Sequence, residues 1–409
     1  MSTQIINYLH KVQGIDKVVP LLFVLKQLEP QLKVHTVLDI ERTSLNAVPQ
    51  DLFASLRQLS ESCSSAPTGW LYSFLRRYEG IVPRRVFRLI ERMVGPDLAG
   101  FFNARGLLSN QSCLLLCINT AKHHSMGRLL GRYVKSQGGL VLAYLKSVND
   151  RGRGLSVVGK AKADAGAGFY DVLLVPNRQI HAILLQSGYP PERLLVSGYP
   201  PFYQAWRRHV ASQAAAAFPA MEGKRLFVVF SRGPAPHKPE EGQIMTAEME
   251  VRLLTDIVSV VQEGWPDARV WIKPHPYQEP AFLQRLAREH SRVEIRHESV
   301  QRLSALADIA ISTYSSASLD ALAYGKPSIE YFEETANFLA AHPGGSTFGE
   351  YGVVICRSRA ELQCALERAV ASSDEERGRL VKSVLEKFSQ EENAMQVLES
   401  VHGRLAVGA

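Results

Sequence analysis

Lys273-Pro274-His275-Pro276 and Ser312-Thr313-Tyr314-Ser315-Ser316 decide how this chain reads, because each follows a short apolar run, Ala268 to Ile272 and Asp308 to Ile311, with the character of a β-strand. Polar groups therefore stand at two strand ends. The second segment continues through Ala317-Ser318-Leu319-Asp320-Ala321-Leu322-Ala323-Tyr324 into Gly325-Lys326-Pro327. That pattern predicts a short helix capped by serine and stopped by Gly-Lys-Pro. Small hydroxyl residues opening a helix leave backbone N–H groups available, and the helix dipole adds positive potential, so an anion such as a phosphate is expected there.

Outward from these segments, strand-like and helix-like runs alternate. Strands are expected at Leu226 to Phe230, Ala268 to Ile272, Val293 to Arg296, Asp308 to Ile311 and Ser328 to Tyr331. Helices are expected at Ala247 to Glu263, Glu279 to His290, Gln301 to Ala307 and Ser316 to Tyr324. This alternation is that of a doubly wound α/β domain, in which ligands sit beyond the carboxyl ends of the strands. The first half repeats the pattern less cleanly. Strands are expected at Gln4 to Leu9, Val34 to Leu38, Cys113 to Ile118, Leu140 to Leu145 and Tyr170 to Val175, with a loop over His10 to Lys17 and a helix over Val18 to Leu28. A helical insertion over about residues 52–106 interrupts it. Turn residues in Val196-Ser197-Gly198-Tyr199-Pro200-Pro201-Phe202 mark the boundary before the second sheet. The expected domains are residues 1–205, 206–373 and a helical tail, 374–409.

A chain of 409 residues supports two cores rather than one. No apolar run reaches the roughly 20 residues of a membrane span, and the first residues lack the order of a signal peptide, so a cytoplasmic protein is expected. Cys63, Cys113, Cys117, Cys356 and Cys364 are odd in number and irregularly spaced, which favours reduced thiols over a disulfide framework or zinc site. The net charge of +7 favours an anionic partner. Arg76, Arg77, Arg84, Arg85, Arg88 and Arg92 interleave with apolar residues, which suits either peripheral contact with anionic membrane or a solvated helix face. Nucleic acid is not expected, since no zinc-finger, homeodomain or RNP-type signature is present.

Gly188-Tyr189-Pro190-Pro191-Glu192-Arg193-Leu194, then Val196-Ser197-Gly198-Tyr199-Pro200, then Lys-Pro-His-Pro, then Ser315-Ser316-Ala317-Ser318-Leu319-Asp320-Ala321-Leu322-Ala323-Tyr324-Gly325-Lys326-Pro327 resemble a GT-B glycosyltransferase of bacterial surface-polysaccharide synthesis. In pattern the chain is similar to bacterial sialyl- and polysialyltransferases, with their His-Pro and Ser-Ser motifs, and to CDP-glycerol glycerophosphotransferases. The resemblance covers about residues 170–355. It implies two Rossmann-like domains facing a cleft, the C-terminal one holding a nucleotide donor and the N-terminal one an acceptor, with the tail crossing back to the N-terminal domain.

On that resemblance His275 contacts the donor phosphate or assists the leaving group, Pro276 shapes the turn, and Ser312, Thr313, Ser315 and Ser316 line the phosphate site. Arg232 and Lys273 flank the phosphate or serve as surface ion pairs. Glu330 and Glu333 are candidates for the ribose hydroxyls, and His342 to Thr347 for a loop lining the donor. No metal is expected, since departing nucleotide charge can be met by preorganised donors and no Asp-x-Asp pair is present. The only co-substrate implied is a nucleotide sugar, CMP-linked as in CMP-sialic acid or CMP-Kdo, with a surface glycan or glycolipid as acceptor. An acceptor hydroxyl needs a base, and His10 and Asp16 are the candidates, Asp16 alternatively capping the helix from Val18. The glycerol phosphate relatives carry His-Gly after a strand of the first domain. Here Leu140 to Leu145 is followed by Lys146-Ser147-Val148-Asn149-Asp150, a departure that counts against glycerol phosphate transfer and leaves Asp150 as a third candidate. His123 and His124 are equally plain loop residues. The alternatives are a UDP-GlcNAc 2-epimerase-like enzyme and an inactive GT-B protein that binds glycan.

Overall fold

The computed structural model describes residues 3–9, 14–39, 48–66, 92–94, 96–97, 100–118, 125–145, 169–219, 224–234, 245–275, 278, 280–341, 344–388 and 392–407. These form two compact units, residues 1–203 with 388–409, and residues 204–387.

The first unit holds a seven-stranded sheet in the order β3-β2-β1-β4-β5-β6-β7. The strands are β1 (Gln4–Leu9), β2 (Lys33–Leu38), β3 (Ser62–Ser65), β4 (Ser112–Ile118), β5 (Leu140–Leu145), β6 (Val172–Val175) and β7 (Leu194–Val196). All pairs are parallel. Every residue of β4 and β5 is buried, as strands covered on both faces require. Helices α1 (Ile15–Leu28), α2 (Gln50–Leu59), α3 (Ser125–Ser136) and α4 (Arg178–Gln186) connect these strands. Asn177 caps α4 by accepting the Ile180 amide at 2.8 Å.

Two expectations change here. Helix α1 begins at Ile15 rather than Val18, with Gly14 at its N-cap, so Asp16 lies inside the first turn and is not the cap. Within the stretch expected to be a helical insertion, Ser62–Ser65 forms β3, an edge strand on β2. Ser-Cys-Ser-Ser has no apolar alternation, and its pairing is a property of the backbone.

The second unit has a six-stranded parallel sheet in the order β10-β9-β8-β11-β12-β13. Its strands are β8 (Leu226–Phe230), β9 (Arg269–Lys273), β10 (Val293–Ile295), β11 (Ile309–Ser312), β12 (Ser328–Tyr331) and β13 (Val354–Cys356). The helices are α5 (Gln204–Ala217), α6 (Ala247–Gly264), α7 (Pro280–Glu289), α8 (Val300–Leu306), α9 (Ala317–Ala323), α10 (Ala336–Ala341), α11 (Arg359–Ala371) and α12 (Asp374–Lys387). Hydroxyls close several helix starts as the sequence pattern implies. Thr246 accepts from the Met249 amide at 3.1 Å, and Ser299 accepts from the Arg302 amide at 3.1 Å. One face of the sheet packs Val229, Ile272 and Ile311 against α6 and α11, and the other packs Val228, Phe230 and Trp271 under α8 and α9.

The last helix, α13 (Glu392–Val407), belongs to the first unit. It buries Ala394, Val397, Leu398, Val401 and Leu405, and Asn393 donates to the Val196 carbonyl at 2.5 Å. Phe388 packs on Tyr199 and Phe202, with ring centroids 5.6 and 5.1 Å apart. The expected tail began at residue 374, whereas the two units divide at 387/388 because α12 packs with α9. The cysteines are all free, with Cys113, Cys117 and Cys356 buried and Cys364 exposed.

Candidate functional site

The second sheet changes direction between β8 and β11. From β8 the chain fills β9 and β10 on one side, and from β11 it fills β12 and β13 on the other. At such a switch point the loops part and leave a crevice beyond the carboxyl ends. Lys273, Phe230, Ser312 and Glu330 sit side by side in register across the last row of the four central strands. Three of the four are polar. Ser312 is completely buried and its hydroxyl has no hydrogen-bond partner.

The two loops at the switch point are tied together. The Thr313 amide donates to the Phe230 carbonyl at 3.2 Å, and the Thr313 hydroxyl accepts from the Arg232 amide at 2.8 Å. Thr313 is thereby a linker between strands, with its hydroxyl occupied. Tyr314 has φ of 59°, the left-handed region that a tyrosine rarely enters. Its ring stacks on Phe332 at 5.2 Å and meets the edge of Phe338 at 4.7 Å, while the Arg232 guanidinium lies 5.3 Å from its centroid. Burial of the ring offsets a strain of about 1–3 kcal/mol and fixes the turn that presents Ser315 and Ser316.

The expected serine cap of α9 is corrected. Ser316 occupies the N-cap position with φ −62° and ψ −10°, already helical, and makes no side-chain cap bond. A cap needs extended backbone to aim its oxygen back at the helix. Ser315 instead accepts from the Ala317 amide at 3.3 Å, and its carbonyl accepts from the Ser318 hydroxyl at 2.8 Å. Ser316 is exposed and Ser315 half-buried.

After β9, the His275 amide donates to the Gln278 side-chain oxygen at 3.0 Å, and the Gln278 amide returns a bond to the His275 carbonyl at 2.9 Å. Lys273, His275 and Arg232 are all half-buried. Pro276 lies outside the described residues.

Glu330 sits inside β12, 0 % exposed, rather than beyond its end. It accepts from the Ser346 hydroxyl at 3.1 Å and from Arg357 at 3.4 Å. Burial pushes its carboxyl up to about 7, against the Ser346 bond and the Arg357 charge, with Glu334 adding to the rise. Arg357 also donates to Glu334 at 2.5 Å, and Glu334 accepts from the Ser346 amide at 2.6 Å. Gly345 permits this closeness: its φ is 80°, and a Cβ there would fall 2.6 Å from the Glu334 oxygen. Glu333 is exposed and paired with Arg252. His342 and Pro343 lie outside the described residues.

In the first unit, Asp16 Oδ2 stands 3.1 Å from the Lys17 ammonium, which itself lies 4.4 Å from the Tyr199 ring centroid. Asp16 Oδ1 is buried and has no hydrogen-bond partner, and the same holds for the Tyr144 hydroxyl. Burial raises the Tyr144 phenol well above its ordinary value, helped by Tyr199, Tyr203, Cys117 and Asp16. His10, Asp150, His123 and His124 lie outside the described residues, as does most of the Arg76 to Arg92 stretch, of which Arg92 is described and exposed.

Tyr314, Gln278, Glu334 and Arg357 were not legible as site residues, whereas Ser346 falls in the 342–347 turn expected to line the donor. Gly344-Gly345 signals a turn, but nothing local says that Glu334, eleven residues before Gly345, will close on it. Among the described residues no group of three or more His, Cys, Asp or Glu side chains is placed to hold a metal ion, and no helix is long and apolar enough to cross a membrane.

Residues 145–403 match the family described as CDP-glycerol:poly(glycerophosphate) glycerophosphotransferase. A search of curated proteins gives no match. Among solved structures, the fold is similar to a putative UDP-N-acetylglucosamine 2-epimerase from Listeria monocytogenes, with TM-score 0.64 and 11% identity over 98% of this chain and 96% of that one. It is similar also to the UDP-GlcNAc 2-epimerase from Neisseria meningitidis bound to UDP-GlcNAc, with TM-score 0.59 and 12% identity over 98% and 100% of the two chains. The wall teichoic acid polymerase TagF aligns with TM-score 0.56 and 12% identity over 99% of this chain and 88% of that one. At these identities the likeness establishes the fold: two parallel α/β sheets of the GT-B kind.

Proposed function

Because the chain belongs to the CDP-glycerol:poly(glycerophosphate) glycerophosphotransferase family and is thus a GT-B transferase, we propose that it moves a phosphoalcohol from a CDP-linked alcohol to a hydroxyl of a growing surface polymer. The observation that carries this reading is the tied pair of loops at the β8/β11 switch point, with Arg232, Lys273 and His275 gathered at the neighbouring strand ends. The acceptor hydroxyl attacks the phosphorus that bears the alcohol, the bond to the CMP oxygen breaks, and the hydroxyl proton passes to a base. CMP leaves with extra negative charge on its phosphate. Cationic and N–H donors held where that charge grows lower the barrier.

In this reading Arg232, Lys273 and His275 face the diphosphate, and Ser315 and Ser316 supply hydroxyls and amides. Ser312 and Thr313 support the loop from within, and Glu330 shapes the 344–348 loop. Asp16 is the described candidate for the base, with the Lys17 ammonium beside it. The family favours a CDP-alcohol over the CMP-sialic acid or CMP-Kdo donor first expected, and the acceptor is a phosphate-bearing polymer or its glycolipid primer. The arginines from Arg76 to Arg92 suit an anionic acceptor or an anionic membrane surface.

The test is release of CMP from CDP-glycerol, CDP-ribitol and CMP-sialic acid, with and without a glycerol phosphate primer, alongside conversion of UDP-GlcNAc. Primer-dependent CMP release from a CDP-alcohol is the expected result. Release from CMP-sialic acid alone would restore sugar transfer, and conversion of UDP-GlcNAc without any acceptor would establish the epimerase reading instead.

A further inference from the structure

We infer that Gln278 is a positioning residue that locks the loops after β8 and β9 into one arrangement around the anionic ligand. This rests on the reading of those strand ends as the donor site. Gln278 is 9 % exposed, and its side chain bridges three parts of the unit. Its amide nitrogen donates to the Ser231 hydroxyl at 2.7 Å, in the loop after β8, and to a Glu250 oxygen on α6. Its oxygen accepts from the His275 amide in the loop after β9. The backbone adds to the tie, since the Ser231 amide donates to the Lys273 carbonyl at 3.0 Å.

The geometry leaves little freedom. A Cβ on Gly233 would stand 2.8 Å from Gln278 Cγ, so the loop bearing Arg232 lies flat against this side chain and only glycine fits. Arg232 is flanked by both contacts, with Ser231 bonded to Gln278 on one side and Gly233 packed on it on the other. His275 is reached through the same side chain, and Lys273 through the backbone of the Ser231 that this side chain holds. One amide therefore sets the spacing of three groups on two loops, and small displacements of positioned groups carry large rate costs.

The polarity of the contact is what makes the idea testable. A primary amide can donate to Glu250 and Ser231 while accepting from His275, whereas a carboxylate at 278 would set two acceptors face to face. Exchanging the two side chains repairs this. In E250Q/Q278E the amide at 250 donates to the carboxylate at 278, the Ser231 hydroxyl turns to donate, and the His275 amide keeps its acceptor.

The experiment measures CDP affinity by calorimetry, and melting temperature, for the wild type, Q278E, E250Q/Q278E and the milder Ser231→Ala. Q278E is expected to bind CDP about tenfold more weakly, the exchange variant to recover to within about threefold of wild type, and Ser231→Ala to lose about threefold while melting like wild type. Where Q278E does not fold, recovery in the exchange variant and the loss in Ser231→Ala carry the result. Equal CDP affinity in all four proteins overturns the positioning role and leaves the donor site standing. So does an exchange variant that folds like wild type and binds no better than Q278E. A wild type that binds neither CDP nor CMP overturns the donor-site reading itself, and the positioning role with it.

Discussion

The two sheets run through their first six strands in the same order, yet the last row before their carboxyl ends differs in chemistry. In the second sheet that row is Lys273, Phe230, Ser312 and Glu330. In the first, the comparable row of Val37, Tyr8, Leu116 and Ala143 is apolar apart from one phenol. Topology therefore sets where a crevice opens, and side chains inside the strands decide whether charge is already waiting there. The second unit writes part of its chemistry into the last row of its strands, while the first keeps that row apolar and pairs its buried Asn7 and Thr36 one row earlier.

Removing charge from the polar row should have the largest effect. Lys273→Ala is expected to lower kcat/KM for CMP release about 10²- to 10³-fold with little change in melting temperature. Unchanged activity would mean that the row is structural in both sheets. Next in size is the protonation of Glu330. A carboxyl raised from 4.5 to about 7 in the folded chain is held more easily neutral than charged. Its contribution to stability is full below the unfolded value and is lost as pH rises from about 4.5 to 7, by roughly 3 kcal/mol. Urea unfolding across that window should show the loss in the wild type and a flatter profile in Glu330→Gln. Parallel profiles would assign the slope to other groups.

Gly345→Ala should cost about 1–3 kcal/mol, since the position combines positive φ with the approach of Glu334. A neutral result in the same unfolding assay would show that the 344–348 loop relaxes away from Glu334. The smallest effect is expected in the first sheet. Tyr144→Phe removes a buried hydroxyl that has no hydrogen-bond partner, so stability should hold or rise by up to about 1 kcal/mol, and CMP release should be unaffected. Loss of turnover in a well-folded Tyr144→Phe protein would break the contrast, because chemistry would then reside inside the first sheet as well.

These differences also mark what the sequence could disclose. Five of the six strands of the second unit were legible because apolar runs and Gly-Lys-Pro punctuation act locally, whereas the edge strand Val354–Cys356 was not expected. The short edge strands Ser62–Ser65 and Leu194–Val196 were not legible either, since three or four residues joined by backbone bonds carry no periodicity. At the site, Lys273 and the Ser312 to Ser316 segment stood out as polar residues ending apolar runs. Gln278, Glu334 and Arg357 did not, because their partners lie in loops that only folding brings together. Glu330 was legible as a carboxylate near the site, but not as one sealed inside a strand. Tyr314 offered no warning, for its left-handed turn contradicts its own preference and is held by distant phenylalanines.

Helix α13 has a bearing on how the molecule is made. The second unit is a single continuous stretch, whereas the first is completed by residues 388–409. During synthesis the N-terminal sheet emerges first, but the side of α1 against which α13 packs, burying Leu398, Val401 and Leu405, stays uncovered until the second unit has been made. The later-born unit is free to finish folding before the earlier one. A ribosome that stalls or a protease that nicks the chain near residue 388 would thus spare the second unit and undo the first, so the integrity of the first unit is certified only by residues translated after the whole of the second.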